Sequence, residues 1–128
     1  EGVVCMNDAR EYLDPRMKKF FTDPWNFDRP KDGESIRDVL ARTKEFWEEL
    51  IHNPKLQDKT ILIATHGCCM RALLRNVYED KNDFWHGGVP YNCAVSIIEV
   101  QNGVSTLLAD NKIYYDPSDC VNFYKEVK

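Results

Sequence analysis

Ile61-Leu62-Ile63-Ala64-Thr65-His66-Gly67 decides how this chain is read. An uncharged apolar run ends at a threonine, a histidine and a glycine, and an amphipathic segment follows. Uniform apolarity over residues 60–64 predicts a buried strand of the kind found in parallel sheets covered on both faces. Such a strand carries the next side chain to the rim of the sheet. A glycine there lets a ligand approach the backbone, and the N-terminus of the following helix attracts anions. The stretch therefore predicts a phosphate site containing His66 and Gly67. A lone histidine is more often a core or rim residue that satisfies backbone groups. The strand before it, the glycine after it and the helix start together weigh against that reading.

Downstream, Met70, Leu73, Leu74 and Val77 give the helix its apolar stripe. Residues 79–88 form a polar connection with Phe84-Trp85 at its centre. Residues 94–100 and 104–109 read as strands, and the Asn102-Gly103 pair between them is a strong hairpin signal. A short helix is expected near Val121. Upstream, Ser35 and Asp38 make a capping-box-like start for a long helix. Its stripe is Ile36, Val39, Leu40, Phe46, Trp47, Leu50 and Ile51, and Asn53-Pro54 ends it. Residues 55–59 are a polar turn. Residues 23–27 read as an ordered loop, because Trp25 and Phe27 need something to pack on. A short helix is expected from Pro15, a residue tolerated at a first helical position. Tyr114 and Tyr115 are read as packing.

The sum is helix, strand, helix, strand, strand: an α/β chain with a thin sheet. A buried parallel strand needs neighbours on both sides. Either part of the sheet is missing or a partner supplies it, and association into a homo-oligomer through the incomplete sheet is one form this takes.

At 128 residues a single domain, residues 1–128, is expected. A composition of 43% hydrophobic and 30% charged residues is that of a soluble globular protein, not a disordered one. With a net charge of -4 and no Lys/Arg-rich block, nucleic acid is excluded as a partner class. No run approaches the roughly 18 apolar residues that span a membrane. Five cysteines form no C-x-x-C pair, and Cys68 and Cys69 are adjacent. Reduced thiols, and hence a cytoplasmic location, are expected.

Two rival chemistries fit less well. Cys69 to Arg75 has the C-x-x-x-x-x-R spacing of cysteine-dependent phosphatases. The residues between them are glycine-free and helical in spacing, so their N–H groups are committed to the helix. A zinc site from His66, Cys68, Cys69 and His86 matches no zinc spacing. Cys68 is read as a small buried side chain rather than a reactive thiol.

Three segments together resemble the histidine phosphatase superfamily, the phosphoglycerate-mutase-like family, over residues 23–111. They are Pro30-Lys31-Asp32-Gly33-Glu34-Ser35 with Arg42, residues 61–67 with Arg71, and Asn92-Cys93-Ala94-Val95-Ser96-Ile97-Ile98-Glu99. The resemblance implies a three-layer α/β/α fold with a mainly parallel sheet and a C-terminal hairpin. It implies phosphoryl transfer through a phosphohistidine, without a metal or cofactor. His66 corresponds to the second histidine, which hydrogen-bonds the phosphoryl group. Glu34 and Arg42 are expected to order the loop and helix beside the pocket.

The nucleophile of the family lies in an Arg-His-Gly motif, and none occurs in these 128 residues. Glu1-Gly2 resembles the end of the segment that follows the family's proton-donor acid. The chain is thus expected to start after the first strand, the nucleophile and that acid. Mutase-like members tend to carry asparagine after the His-Gly, where this chain has Cys68. That tilts the expectation toward a phosphomonoester hydrolase with a small phosphorylated substrate. A phosphoglycerate mutase and a non-catalytic phosphate- or partner-binding chain are the alternatives.

Overall fold

The computed structural model describes residues 15–120. The expected helix near Val121 and the reading of Glu1-Gly2 lie outside the described residues. The element order is α1 (Pro15–Thr22), α2 (Ile36–His52), α3 (Gly67–Leu74), β1 (Val95–Gln101) and β2 (Val104–Lys112), with single 3-10 turns at Pro24–Asn26, Pro54–Leu56 and Pro117–Asp119.

Local chemistry sets the helix ends. The Ser35 hydroxyl accepts from the Asp38 N–H at 3.2 Å, and the Asp38 carboxylate accepts from the Ser35 N–H at 2.9 Å. This reciprocal box starts α2. Proline at position 54 cannot donate to the helix, and α2 stops at His52 with Asn53 as its cap. Of the predicted stripe, Ile36, Val39 and Trp47 are buried, Leu40, Leu50 and Ile51 are half-buried, and Phe46 is exposed. Thr43 is buried on the same face, its hydroxyl turned back onto the Val39 carbonyl at 2.7 Å.

The core joins α2 and α3 to the aromatic connection. Ile36, Val39, Ala72, Phe84 and Trp85 form one buried cluster, with Phe20, Phe21 and Trp25 against it. The Trp85 ring meets Phe20 edge-on at 5.2 Å between centroids, and Trp25 meets Phe84 in the same way at 6.0 Å. Each indole N–H also finds a carbonyl: Trp25 donates to Asn82 at 2.7 Å and Trp85 to Phe20 at 3.1 Å. Residues 79–88 are therefore a polar connection only at their ends; the centre anchors α1 and the Pro24–Asn26 turn. Burial of side chains this large is worth about 1.5–3 kcal/mol each. Tyr114, expected to pack, is 64% exposed, with Lys112 Nζ 4.9 Å from its ring centroid.

The hairpin forms as its turn dictates. Asn102 and Gly103 both have positive φ, 51° and 77°, as a type I′ turn needs. Gln101 pairs with Val104 and Ile98 with Leu107, and the register slips between Val95 and Ile98. Beside that irregularity the Ser96 hydroxyl donates to Asp110 at 2.8 Å, and Asp110 Oδ2 lies 3.4 Å from Arg71 of α3.

Two expectations about the sheet are corrected. Residues 60–64 form no strand and are exposed. Ile61, Leu62 and Ile63 are 41%, 91% and 37% exposed. The sheet among the described residues is not mainly parallel either; it is the antiparallel β1–β2 pair. The physical reason is the same for both. Among the described residues no strand lies on either side of residues 60–64, so no backbone ladder forms and the side chains stay exposed, Leu62 most of all. What holds is the coarser statement, a mixed helix and strand chain consistent with an α/β fold. No helix among the described residues is long and apolar enough to cross a membrane.

Candidate phosphate site at the start of the third helix

His66 is the N-cap residue of α3, with extended backbone (φ -91°, ψ 157°). Its side chain makes no capping hydrogen bond, and the residue is exposed. Its imidazole has no hydrogen-bond partner among the described residues. The first backbone bond of the helix runs from the Met70 N–H to the His66 carbonyl at 2.8 Å. The N–H groups of Gly67, Cys68 and Cys69 thus belong to the open first turn of the helix, where the backbone dipoles sum to a partial positive charge. An imidazole beside three open N–H groups is an arrangement that can hold an oxyanion.

Gly67 has a steric reason to be glycine. A Cβ built on it would lie 2.8 Å from Val89 Cγ1 and 3.4 Å from Pro90 Cδ. The absent side chain lets the loop before β1 press against the start of α3.

Glu34 and Arg42 meet as a two-pronged pair. Arg42 Nε donates to Glu34 Oε1 at 2.7 Å and Nη2 to Oε2 at 3.0 Å. The hydrogen bonds it donates to Glu34 raise the Arg42 pKa, so the guanidinium stays charged. Arg42 Nη1 also reaches Cys69 Sγ at 3.9 Å. The Gly33-Glu34-Ser35 loop, α2 and the first turn of α3 are joined by these contacts. A cavity of about 230 Å³ lies behind them, with Arg42, Phe46, Ile63 and Cys69 in its wall. Cys68 faces the core, and burial pushes its thiol up to about 11. The other two histidines sit elsewhere: His52 pairs with Glu48 at 3.4 Å, and His86 stacks on Tyr78 at 3.6 Å.

One polar network went unread in the sequence. Arg71, 3% exposed, donates from Nε to the Gly88 carbonyl at 3.0 Å and from Nη1 to the Tyr78 hydroxyl. Nη1 also lies 3.4 Å from Asp110 Oδ2, which accepts from the Tyr78 hydroxyl at 2.8 Å. Asp110 Oδ1 accepts from Ser96 at 2.8 Å. This network locks α3 to the hairpin one turn beyond His66. Its signal was a charged residue inside an apolar helix, Met70-Arg71-Ala72-Leu73-Leu74. Burial pushes the Tyr78 hydroxyl above its ordinary pKa, and the bond to Asp110 adds to the effect.

The family model of the histidine phosphatase superfamily (branch 1) matches residues 5–112. Among curated relatives, a 2,3-bisphosphoglycerate-dependent phosphoglycerate mutase of Staphylococcus epidermidis is 43% identical over 42 residues, 33% of this chain and 18% of that protein. The protein of the same name from Staphylococcus saprophyticus is 31% identical over 71 residues, 55% of this chain and 26% of the relative. That of Rhodococcus opacus is 38% identical over 58 residues, 44% of this chain and 23% of the relative. The match thus spans about a fifth to a quarter of each relative's length. No solved structure matches the chain.

Proposed function

Because the chain belongs to the histidine phosphatase superfamily, we propose that His66 is the second phosphate-pocket histidine of a phosphomonoester hydrolase working through a phosphohistidine. The observation that carries this reading is the position of His66, an uncommitted imidazole at the open N-terminus of α3. A phosphoryl oxygen seated there would accept from the imidazole and from the N–H groups of the first turn. Donors already in place stabilise the transferring group without reorganisation. Gly67 would keep the approach to those N–H groups clear, and Glu34 and Arg42 would hold the neighbouring loop and helix. The phosphoryl-accepting histidine and the proton donor are proposed to lie outside these 128 residues, which contain no Arg-His-Gly. The substrate class is a small phosphorylated metabolite, met in the cytoplasm, with no metal required. The exposed run Ile61-Leu62-Ile63 supports the further reading that this edge pairs with a strand of the same or another chain.

A second reading, phosphoglycerate mutase, has the names of the relatives in its favour. The cysteine at position 68, where mutase-like members tend to carry asparagine, weighs toward hydrolysis. Phosphate release from an aryl phosphate in EDTA, set against isomerisation of phosphoglycerate, separates the two.

The test of His66 uses the whole protein. His66→Ala should lower kcat by about 10²–10³-fold with a smaller change in KM. A loss confined to KM would contradict the assigned role.

A further inference from the structure

The loop that presses on Gly67 is pinned at both ends by side chains from other elements. Residues 88–91 have no regular secondary structure, and Val89 and Pro90 in their middle meet the start of α3. At one end Arg71 Nε donates to the Gly88 carbonyl at 3.0 Å. At the other the Tyr91 N–H donates to Asn111 Oδ1 of β2 at 2.9 Å. We propose that Asn111 is a positioning residue of the phosphate site. By holding the Tyr91 N–H it keeps Val89 and Pro90 against Gly67, and so fixes the open first turn of α3. This inference rests on the reading of His66 and that turn as a phosphate site.

Three observations carry the assignment. Asn111 is itself held. Between the pairs Val95–Lys112 and Ile97–Ala109, β2 carries one residue more than β1, and Asn111 lies in that bulge. Its φ of 51° is in the left-handed region that asparagine tolerates, and its N–H donates to Ser96 Oγ at 3.1 Å. Bulges re-aim side chains in this way. Secondly, residues 88–91 belong to no β-ladder, and Pro90 has no N–H to give, so the path of the loop depends on the bonds at its ends. Finally, the Gly67 N–H is one of the open donors of the first turn, and a close-packed contact passes a displacement on. Donors held in place in advance lose their worth when they shift. Of the two pins, Asn111 is the one that can be removed without stranding a charge.

The test compares the affinity of two variants of the chain for inorganic phosphate, read by NMR at the Gly67, Cys68 and Cys69 amides, with a thermal melt of each. Asn111→Gly keeps the left-handed backbone accessible and removes the acceptor, whereas Asn111→Asp keeps the acceptor. Asn111→Gly should bind phosphate about 3–10-fold more weakly, the worth of one hydrogen bond, and Asn111→Asp should stay within about twofold of the wild type. In the wild type, the Tyr91 amide should follow phosphate with the same midpoint as the Gly67 amide. That measurement decides the matter should a variant not fold. A lower melting temperature with unchanged affinity in Asn111→Gly, an equal loss of affinity in both variants, or a Tyr91 amide that stays still while Gly67 moves would each overturn this inference and leave the phosphate site standing. A wild-type chain in which none of these amides responds would overturn the phosphate site, and the role of Asn111 with it.

Discussion

Gly67 and Val89 touch so closely that a Cβ on the glycine would sit 2.8 Å from Val89 Cγ1. This contact sets the start of α3, and with it His66, against the loop that leads into β1. The glycine serves packing as well as any ligand, and the two roles separate by experiment.

Gly67→Ala should lower stability by about 1–3 kcal/mol, the usual range for overpacking a tight contact. Pairing it with Val89→Ala removes the obstructing methyl groups. In denaturant melts the double variant should recover part of the loss caused by Gly67→Ala on the Val89→Ala background. Strict additivity would mean that the two side chains do not meet.

Asp110→Ala should destabilise through the charge it strands. Arg71 is buried, and its remaining partners, Tyr78 and the Gly88 carbonyl, are neutral. Breaking a buried pair costs about 3–5 kcal/mol, and the partial exposure of Asp110 reduces this to about 2–3 kcal/mol. Replacing Arg71 by methionine in the same variant removes the stranded charge and should restore stability. A double variant no better than Asp110→Ala would argue against a net charge effect.

Alkaline pH should weaken the fold. Burial lifts the Cys68 thiol from its ordinary 9.0 to about 11, and the Tyr78 hydroxyl is lifted too. A raised folded-state pKa gives stability that is complete below the unfolded value and lost as pH climbs through the folded one. Stability should therefore fall from about pH 9 upward, through Cys68 first and Tyr78 above about pH 10. Cys68→Ala should flatten the slope between pH 9 and 11. At pH 8, the same shift should make Cys68 the slower thiol toward a disulfide reagent, well behind exposed Cys93.

Leu62→Ser should be nearly silent in this chain as a monomer, with residues 60–64 unpaired. The side chain is 91% exposed, and exposed substitutions usually stay within about 0.5 kcal/mol. A loss of several kcal/mol would instead show that residues 60–64 are buried as a strand in solution.

Where the determinants are local, the sequence was legible. Ser35 and Asp38 lie three residues apart and cap α2 between themselves. Asn102-Gly103 makes its own turn, and the hairpin follows. The strand expected at residues 60–64 failed because apolarity says what a segment would bury, not what is present to cover it. Arg71 and Asp110 lie 39 residues apart, and no local pattern links them. Gly67 was read for what it would admit, whereas Val89, its steric reason, stands 22 positions on. Of the candidate site, the placing of His66 at the start of α3 was legible, because the glycine after it opens the helix. The joining of Glu34 to Arg42, and of Arg42 to Cys69, needed the packing of α2 beside α3.

The measurement that bears most directly on the central claim is an NMR titration of this chain with inorganic phosphate, following the His66 imidazole and the Gly67, Cys68 and Cys69 amides. The account predicts that these signals move together and saturate, while His52 and His86 do not follow them. If all three histidines respond alike, or the three amides stay still while phosphate rises, His66 does not mark a phosphate site.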